Sequence, residues 1–284
     1  VRALRAALAF SLVLSACARP KEAAEKRYPM KGVVASVNRA LREAVVAHED
    51  VPGFMPAMTM PFKVADDEVL AELQRGDEIA AVLVVGETRY RLEEVKLTRK
   101  APPGLPPPPT PGAEPDAGEL APDVTLKNQD GETIRLSDYR GRSLAVTFVF
   151  TRCPLPDFCP RMAAHFAEVD AALSADPALK DRAHLLAVSF DPKFDTPEVL
   201  RAWGRRALRT GGFDRYELAT GEGAEIKRLA DFLSLEYEEE GGGFTHNLRT
   251  AVLDTEGKLF RLHRGNDWTP EMLLSDLRAA LGAR

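Results

Sequence analysis

An α/β domain of thioredoxin type preceded by a small all-β, OB-like barrel is the architecture this sequence predicts, on three observations. Residues 29–99 carry five short strand-like runs punctuated by glycine. Residues 100–120 are dominated by proline. From residue 121 to 284, apolar β-type runs alternate with helical periodicity. A chain of 284 residues has room for about two domains, and a hydrophobic content of 45% excludes general disorder. The net charge of −5, with no basic excess, argues against nucleic acid as a partner.

Residues 1–17 read as an export signal. Arg2 and Arg5 form a short positive region, Ala6 to Leu14 is apolar, and Leu14-Ser15-Ala16-Cys17 follows. The apolar run is far shorter than the ~20 residues that span a bilayer. Leu-Ser-Ala-Cys resembles the bacterial lipobox, whose cysteine is lipidated and becomes the mature N-terminus. The resemblance implies an exported protein anchored through Cys17 to the membrane on its periplasmic side; a plain secretory signal with a chance cysteine is the alternative. Residues 18–28, charged and alanine-rich, read as a tether.

In the β-domain, Lys31 to Val37, Glu43 to His48, Met58 to Val64, Glu78 to Gly86 and Thr88 to Leu97 are the expected strands, with one or two helical turns over Asp66 to Leu73. Five short strands in about 70 residues point to a small barrel of OB type. Three of the chain's six methionines, Met55, Met58 and Met60, fall within six positions, seven to twelve residues after His48, which begins the segment His48-Glu49-Asp50-Val51-Pro52-Gly53. Met58 and Met60 are two apart on one expected strand and share a face. Thioether and imidazole together select Cu(I) or Ag(I) over harder metals; adaptable core filling is the other reading of methionine. The stretch resembles the CusF-like periplasmic copper-binding domain, with a His on one strand and Met-Thr-Met on a later one. The resemblance implies His48, Met58 and Met60 as copper ligands. It departs at Met55, where the best-known members carry a tryptophan over the metal; Met55 is either a further sulfur ligand or packing.

The proline-rich stretch favours extended polyproline II and is expected to hold the two domains apart while allowing them to meet, with a reach of at most about 60 Å at ~3.1 Å per residue. Beyond it, Ala121 to Leu136 reads as a hairpin turning at Asp130-Gly131. Leu144 to Phe150 and His184 to Phe190 read as buried strands, and Pro160 to Ser174 as a helix. A helix opening at Asp195-Thr196-Pro197 follows, capped by Asp195 or Thr196. Next come a short strand at Tyr216, a helix over Gly223 to Leu233, a hairpin across Thr255-Glu256-Gly257, and a last helix from Thr269 to Leu281. Strands alternating with helices, then a hairpin and a final helix, give the thioredoxin arrangement.

Cys153 and Cys159 lie between the Leu144–Phe150 strand and the following helix, in Thr151-Arg152-Cys153-Pro154-Leu155-Pro156-Asp157-Phe158-Cys159-Pro160. A helix N-terminus favours a thiolate. Two such thiols can form a disulfide, structural or redox-active, or bind Cu(I). Five residues separate them, unlike the C-x-x-C of ordinary thioredoxins. His246, after Gly241-Gly242-Gly243, lies in a stretch read as a mobile loop entering the Leu248 strand and facing the cysteine turn. Two thiolates and an imidazole suit Cu(I) and admit Cu(II). His165, His184 and His263 read as surface or packing residues. Asp191 and Asp195 have either a capping or a functional role.

This turn, with Ser189-Phe190-Asp191-Pro192-Lys193-Phe194-Asp195-Thr196-Pro197 and Thr245-His246-Asn247, resembles the Sco (SenC) family over residues 121–284. The resemblance implies one copper held by Cys153, Cys159 and His246, and a role in assembling the dinuclear copper centre of cytochrome oxidase, whose copper-bearing subunit, or another copper protein, would be the partner. It departs in spacing, with five residues between the cysteines against the usual three. The reading is thus an exported copper metallochaperone. Its rivals are a thiol–disulfide oxidoreductase working through Cys153 and Cys159, and a copper buffer for tolerance. Anionic thiolates bind Cu(I) more tightly than neutral thioethers near neutral pH, so Cu(I) is expected to pass from the methionine site to the cysteine site.

Overall fold

Five antiparallel strands form the first sheet: β1 (Lys26–Asn38), β2 (Glu43–His48), β3 (Met58–Lys63), β4 (Glu78–Val85) and β5 (Tyr90–Arg99), in the order β3-β2-β1-β4-β5. The structure, a computed structural model, describes residues 25–39, 41–86, 90–102, 114–208, 212–240 and 243–283. The expected signal with Cys17, and the core of the proline-rich stretch, lie outside the described residues. No described helix is long and apolar enough to cross a membrane.

β2 and β3 alternate buried and half-buried positions, the signature of strands with one face on a core. The two edge strands of the sheet meet. Val64 and Leu92 form a parallel bridge, the Ala65 N–H donates to the Leu92 carbonyl at 3.0 Å, and the Tyr90 hydroxyl donates to the Pro61 carbonyl at 2.9 Å. The sheet thus curls into the barrel-like form expected. Helix α1 (Asp67–Glu72) is one short segment capped by Asp66, whose carboxylate accepts from the Glu68 and Val69 N–H groups.

The second sheet has seven strands in the order β14-β13-β8-β9-β10-β6-β7. They are β6 (Thr125–Asn128), β7 (Thr133–Arg135), β8 (Ser143–Val149), β9 (Ala183–Ser189), β10 (Tyr216–Thr220), β13 (Arg249–Leu253) and β14 (Leu259–Arg264). β8, β9 and β10 are parallel, and every residue of β8 and β9 is buried, as strands covered on both faces must be. Helices α2 (Cys159–Ala175), α3 (Pro197–Ala207), α4 (Gly223–Phe232) and α5 (Pro270–Ala280) complete the α/β layers of the thioredoxin-like fold. Thr196 and Thr269 cap α3 and α5, each accepting from the N–H three residues on. Residues 114–120 already belong to this unit: Glu114 pairs with Arg264, and Leu120 bridges to Lys258.

The segment around His246 departs from expectation. His246 closes a strand, β12 (Gly243–His246), paired antiparallel with β11 (Tyr237–Glu240), so the expected loop histidine sits on a hairpin. Three consecutive acids, Glu238 to Glu240, hide the strand pattern of β11, because alternation of polar and apolar residues is the signal for a half-buried strand.

The two domains meet, which the proline-rich stretch was expected to allow. β12 lies beside β3, and the Thr59 N–H donates to Thr245 Oγ1 at 2.8 Å. The Tyr90 N–H donates to the Asp157 carboxylate at 3.1 Å, and the Tyr90 and Phe158 ring centroids lie 5.8 Å apart.

Candidate metal centre

Cys153, Cys159 and His246 converge. Among the described residues they are the one group of cysteine, histidine and acid side chains whose ligand atoms all lie within 4.8 Å of one another. Each comes from a different piece of structure. Cys153 sits on the loop leaving β8, its N–H donating to the Phe150 carbonyl at 3.2 Å. Cys159 is the first residue of α2, with Pro160 just inside the helix, where a missing N–H costs nothing. His246 ends β12. Cys159 is fully buried and His246 is 6% exposed, whereas Cys153 is half-buried.

Both thiols are free, and they are unequal. Burial works against ionisation of Cys153, but hydrogen bonds with Cys159 and His246, and the charge interaction with the His246 ring, outweigh it and bring the thiol down to about 5. Burial, reinforced by the Cys153 sulfur, pushes the Cys159 thiol well up. Of the two, Cys153 is the one whose surroundings favour the thiolate. The Phe150 N–H also points at Cys159 Sγ, at 3.4 Å.

The His246 ring is fixed. Its Nδ1 lies 2.8 Å from the Asn247 carbonyl, to which it donates, so Nε2 is the nitrogen that serves the cysteine pair, as donor to the Cys153 sulfur or, once deprotonated, as a metal ligand. Phe150, Phe158 and Phe190 surround the imidazole with centroids 5.6, 5.4 and 4.9 Å away. A low-coordinate set of two sulfurs and one nitrogen in an apolar cage fits a soft ion such as Cu(I).

Asp191 and Asp195 brace the loop that carries Cys153. Asp195 is fully buried and accepts from the Thr151 N–H at 3.0 Å, from the Thr151 hydroxyl and from Ser189 Oγ. Asp191 accepts from Arg152 at 2.6 Å, and that guanidinium lies 4.5 Å over the Phe194 ring. Neither acid caps α3, whose N-cap is Thr196; both hold Thr151 and Arg152, the two residues before Cys153. The sequence signal was their pairing around Pro192-Lys193-Phe194 directly after a buried strand.

In the first sheet, His48 stands directly opposite Met58 in the β2–β3 register, and Met60 stands opposite Val46. His48, Met58 and Met60 therefore share one face, and all three are at most 3% exposed. His48 repeats the arrangement of His246: its Nδ1 donates to the carbonyl of the next residue, Glu49, at 2.7 Å, leaving the lone pair on Nε2. Gly32, opposite His48 on β1, permits the close approach, since a Cβ there would stand 2.6 Å from the Ala47 carbonyl oxygen and 2.8 Å from His48 Cα. Met55 is buried as well, but its loop is closed by backbone bonds with Val51 rather than by the sheet. The remaining histidines are packing residues: His184 binds Glu217 at 2.9 Å, His263 binds Asp276 at 2.8 Å, and His165 stacks edge-on against Trp268.

The family model described as SCO1/SenC matches residues 112–282. The chain belongs to the SCO1/SenC family. A second model, described as copper binding periplasmic protein CusF, matches residues 27–97, the first sheet. Among solved structures, the Sco domain is similar to a SCO1/SenC family lipoprotein from Bacillus anthracis str. Ames. The identity is 24% and the TM-score 0.52, over 59% of this chain and 99% of that one. It is also similar to BsSco, described as a member of the Sco family of cytochrome c oxidase assembly proteins with a disulfide switch, at 25% identity and a TM-score of 0.51, over 61% and 99%. No curated protein matches the chain significantly. A Sco domain joined to a CusF-like domain makes copper the metal of this protein, in keeping with both donor sets.

Proposed function

We propose that this protein is an exported copper metallochaperone that carries copper as cargo and supplies it to the dinuclear copper centre of cytochrome c oxidase, or to another copper protein of the same compartment. The observation that carries the reading is the convergence of Cys153, Cys159 and His246 within 4.8 Å. Membership of the family that includes BsSco, described as an oxidase assembly protein, supports the recipient. Cys153, a half-buried residue, is the side from which a recipient's ligands would enter, while the buried Cys159 and caged His246 hold the ion from behind. Export and a diacyl anchor on Cys17 complete the reading; two acyl chains give stable anchoring where one is marginal. Mass spectrometry of the native N-terminus tests the anchor: a lipidated Cys17 supports it, and an unmodified soluble protein cleaved elsewhere refutes it.

The decisive experiment is delivery. Cu(I)-loaded reduced protein, mixed with the apo copper-bearing domain of the oxidase, is expected to generate copper-bearing recipient, read as metal content after the two are separated. The Cys153→Ser/Cys159→Ser chain is expected to generate none. Equal yields from both would remove the cysteine site from the function.

A second reading rests on a specific observation. A half-buried thiol drawn down to about 5 beside a buried neutral one is the pairing of an attacking and a resolving cysteine. In that reading the protein reduces the recipient's cysteines before they take up copper. Reduction of an oxidised recipient by the copper-free chain would favour it.

A further inference from the structure

The five-residue spacing between the cysteines departs from the usual three, and the residues in that longer loop are the ones that touch the other domain. Asp157 accepts the Tyr90 N–H at 3.1 Å, and its own carbonyl accepts from Asn266 Nδ2 at 2.8 Å. The Phe158 ring lies between Tyr90, at 5.8 Å, and His246, at 5.4 Å. Tyr90 in turn packs edge-on against Phe62 at 5.7 Å, and Phe62 against His48 at 5.7 Å. The two ring-fixed histidines thus terminate one unbroken run of aromatic contacts, His48–Phe62–Tyr90–Phe158–His246. A second connection runs alongside it. Thr59, between Met58 and Met60, is hydrogen-bonded to Thr245, which precedes His246. Lys63 and Asp267 add a long ion pair at 3.8 Å on the rim.

We propose that the CusF-like domain docks on the cysteine loop and the β11–β12 hairpin as the dedicated copper donor of the Sco site, and that Cu(I) passes between them without entering bulk solvent. The proposal rests on the reading that each site binds Cu(I). The step is ligand exchange. Bonds from Cu(I) to the Met58 and Met60 thioethers and the His48 imidazole break as bonds to the Cys153 and Cys159 sulfurs and the His246 imidazole form. Copper remains Cu(I), no electron moves, and a thiol that is still protonated releases its proton to water. Neutral thioethers give way to anionic thiolates, which sets the direction. The long loop and the hairpin are the docking device, and the proline-rich linker keeps the donor at hand.

The test uses the full chain. Cys153 and Cys159 are first oxidised to a disulfide, and one Cu(I) is loaded on the methionine site. A phosphine reductant then frees the thiols in the presence of bicinchoninate, a coloured Cu(I) chelator. Copper is expected on the thiolates, read from their ultraviolet charge-transfer band, in a yield unchanged by tenfold dilution. The rate should exceed, on the order of 10²-fold at micromolar protein, that between a full-length Cys153→Ser/Cys159→Ser donor and a full-length Met58→Leu/Met60→Leu acceptor. Thr245→Val combined with Asp157→Ala touches no candidate ligand and is expected to send the copper to the chelator, while Thr245→Ser, which keeps the hydroxyl acceptor, retains the transfer. Capture by the chelator to the same extent in the wild type and the docking variant, or a wild-type yield that falls in proportion to dilution, overturns the relay. A reduced wild-type chain that binds fewer than two Cu(I) overturns the reading beneath it as well, so the two failures are told apart by stoichiometry.

Discussion

Thr59 and Thr245, 186 positions apart in sequence, are joined by a hydrogen bond of 2.8 Å from the Thr59 N–H to the Thr245 hydroxyl. Each is the immediate neighbour of candidate copper ligands. Thr59 lies between the two methionines of β3, and Thr245 precedes the histidine of β12. Because side chains alternate along a strand, Met58 and Met60 point away from the side on which Thr59 projects and into the core of their own sheet. The contact therefore brings the two sites' backbones together without consuming a ligand.

Replacing His246 with Ala is expected to weaken Cu(II) binding more than Cu(I) binding. Two thiolates alone satisfy a linear Cu(I) site, whereas Cu(II) depends on the imidazole. Competition titrations with chelators of each oxidation state measure the difference. Unchanged Cu(II) affinity and spectrum would remove His246 from the ligand set. Oxidation of Cys153 and Cys159 to the disulfide is expected to abolish tight binding at this site, since a disulfide offers no thiolate.

On the first sheet, Met58→Leu keeps volume and apolarity but removes a sulfur. Copper stoichiometry in the reduced chain should fall from two to one, or the weaker affinity should drop at least about tenfold, with little change in stability. Met55→Leu is expected to leave the stoichiometry at two, because Met55 lies outside the strand register that gathers His48, Met58 and Met60. Quantified Cu(I) titration against a chromophoric chelator decides both.

Asp195→Ala removes the acceptor for three donors, the Thr151 N–H, the Thr151 hydroxyl and the Ser189 hydroxyl. The cost is about 1–3 kcal/mol for each buried donor left without a new partner. Urea denaturation should show the loss, and copper affinity at the cysteine site should fall with it as Thr151 and Arg152 loosen. Asp195→Asn, which keeps acceptor oxygen, should lose less.

Acid sensitivity is expected from Glu217, away from the metal centre. Burial would raise its pKa, but hydrogen bonds from His184, Tyr139 and Asn128 overcome burial and hold the carboxyl down at about 2, against an ordinary value of 4.5. A depressed carboxyl stabilises the fold in full above its unfolded pKa, and that stabilisation drains away as pH falls from about 4.5 through 2. The amount is on the order of 3 kcal/mol, from about 1.4 kcal/mol per pK unit. Glu217→Gln should be less stable than the wild type at pH 7 by an amount of that order and nearly equal to it near pH 2, measured by denaturation at both values.

Much of this molecule was legible in its sequence because its cores are strongly patterned. The unbroken apolar runs of β8 and β9, and the threonine-proline starts of α3 and α5, announce their elements. The cysteine turn and the Met-Thr-Met strand announce their chemistry. The hairpin under His246 was hidden by three glutamates, since a strand that buries little shows no alternation. The docking of the two domains was hidden for a different reason. It depends on single residues, Tyr90 and Asp157, Thr59 and Thr245, that lie 67 and 186 positions apart and form no local motif. The one local trace was the lengthened cysteine loop, which reads as an oddity of spacing until Asp157 and Phe158 are seen against Tyr90.

The rim of β3 has a bearing on how pieces of this protein would behave. Along that rim Thr59 gives its N–H to Thr245, and two residues further Pro61 has no N–H to give, while its carbonyl accepts from Tyr90. Cutting the chain at the proline-rich stretch would strip away the first of these protections and leave a strand carrying two methionines open at one end of its rim. Such open rims recruit further strands from neighbouring copies. The excised first domain is thus inclined to self-associate and to precipitate on concentration, and a lysine in place of Thr59 would be the substitution that keeps it in solution.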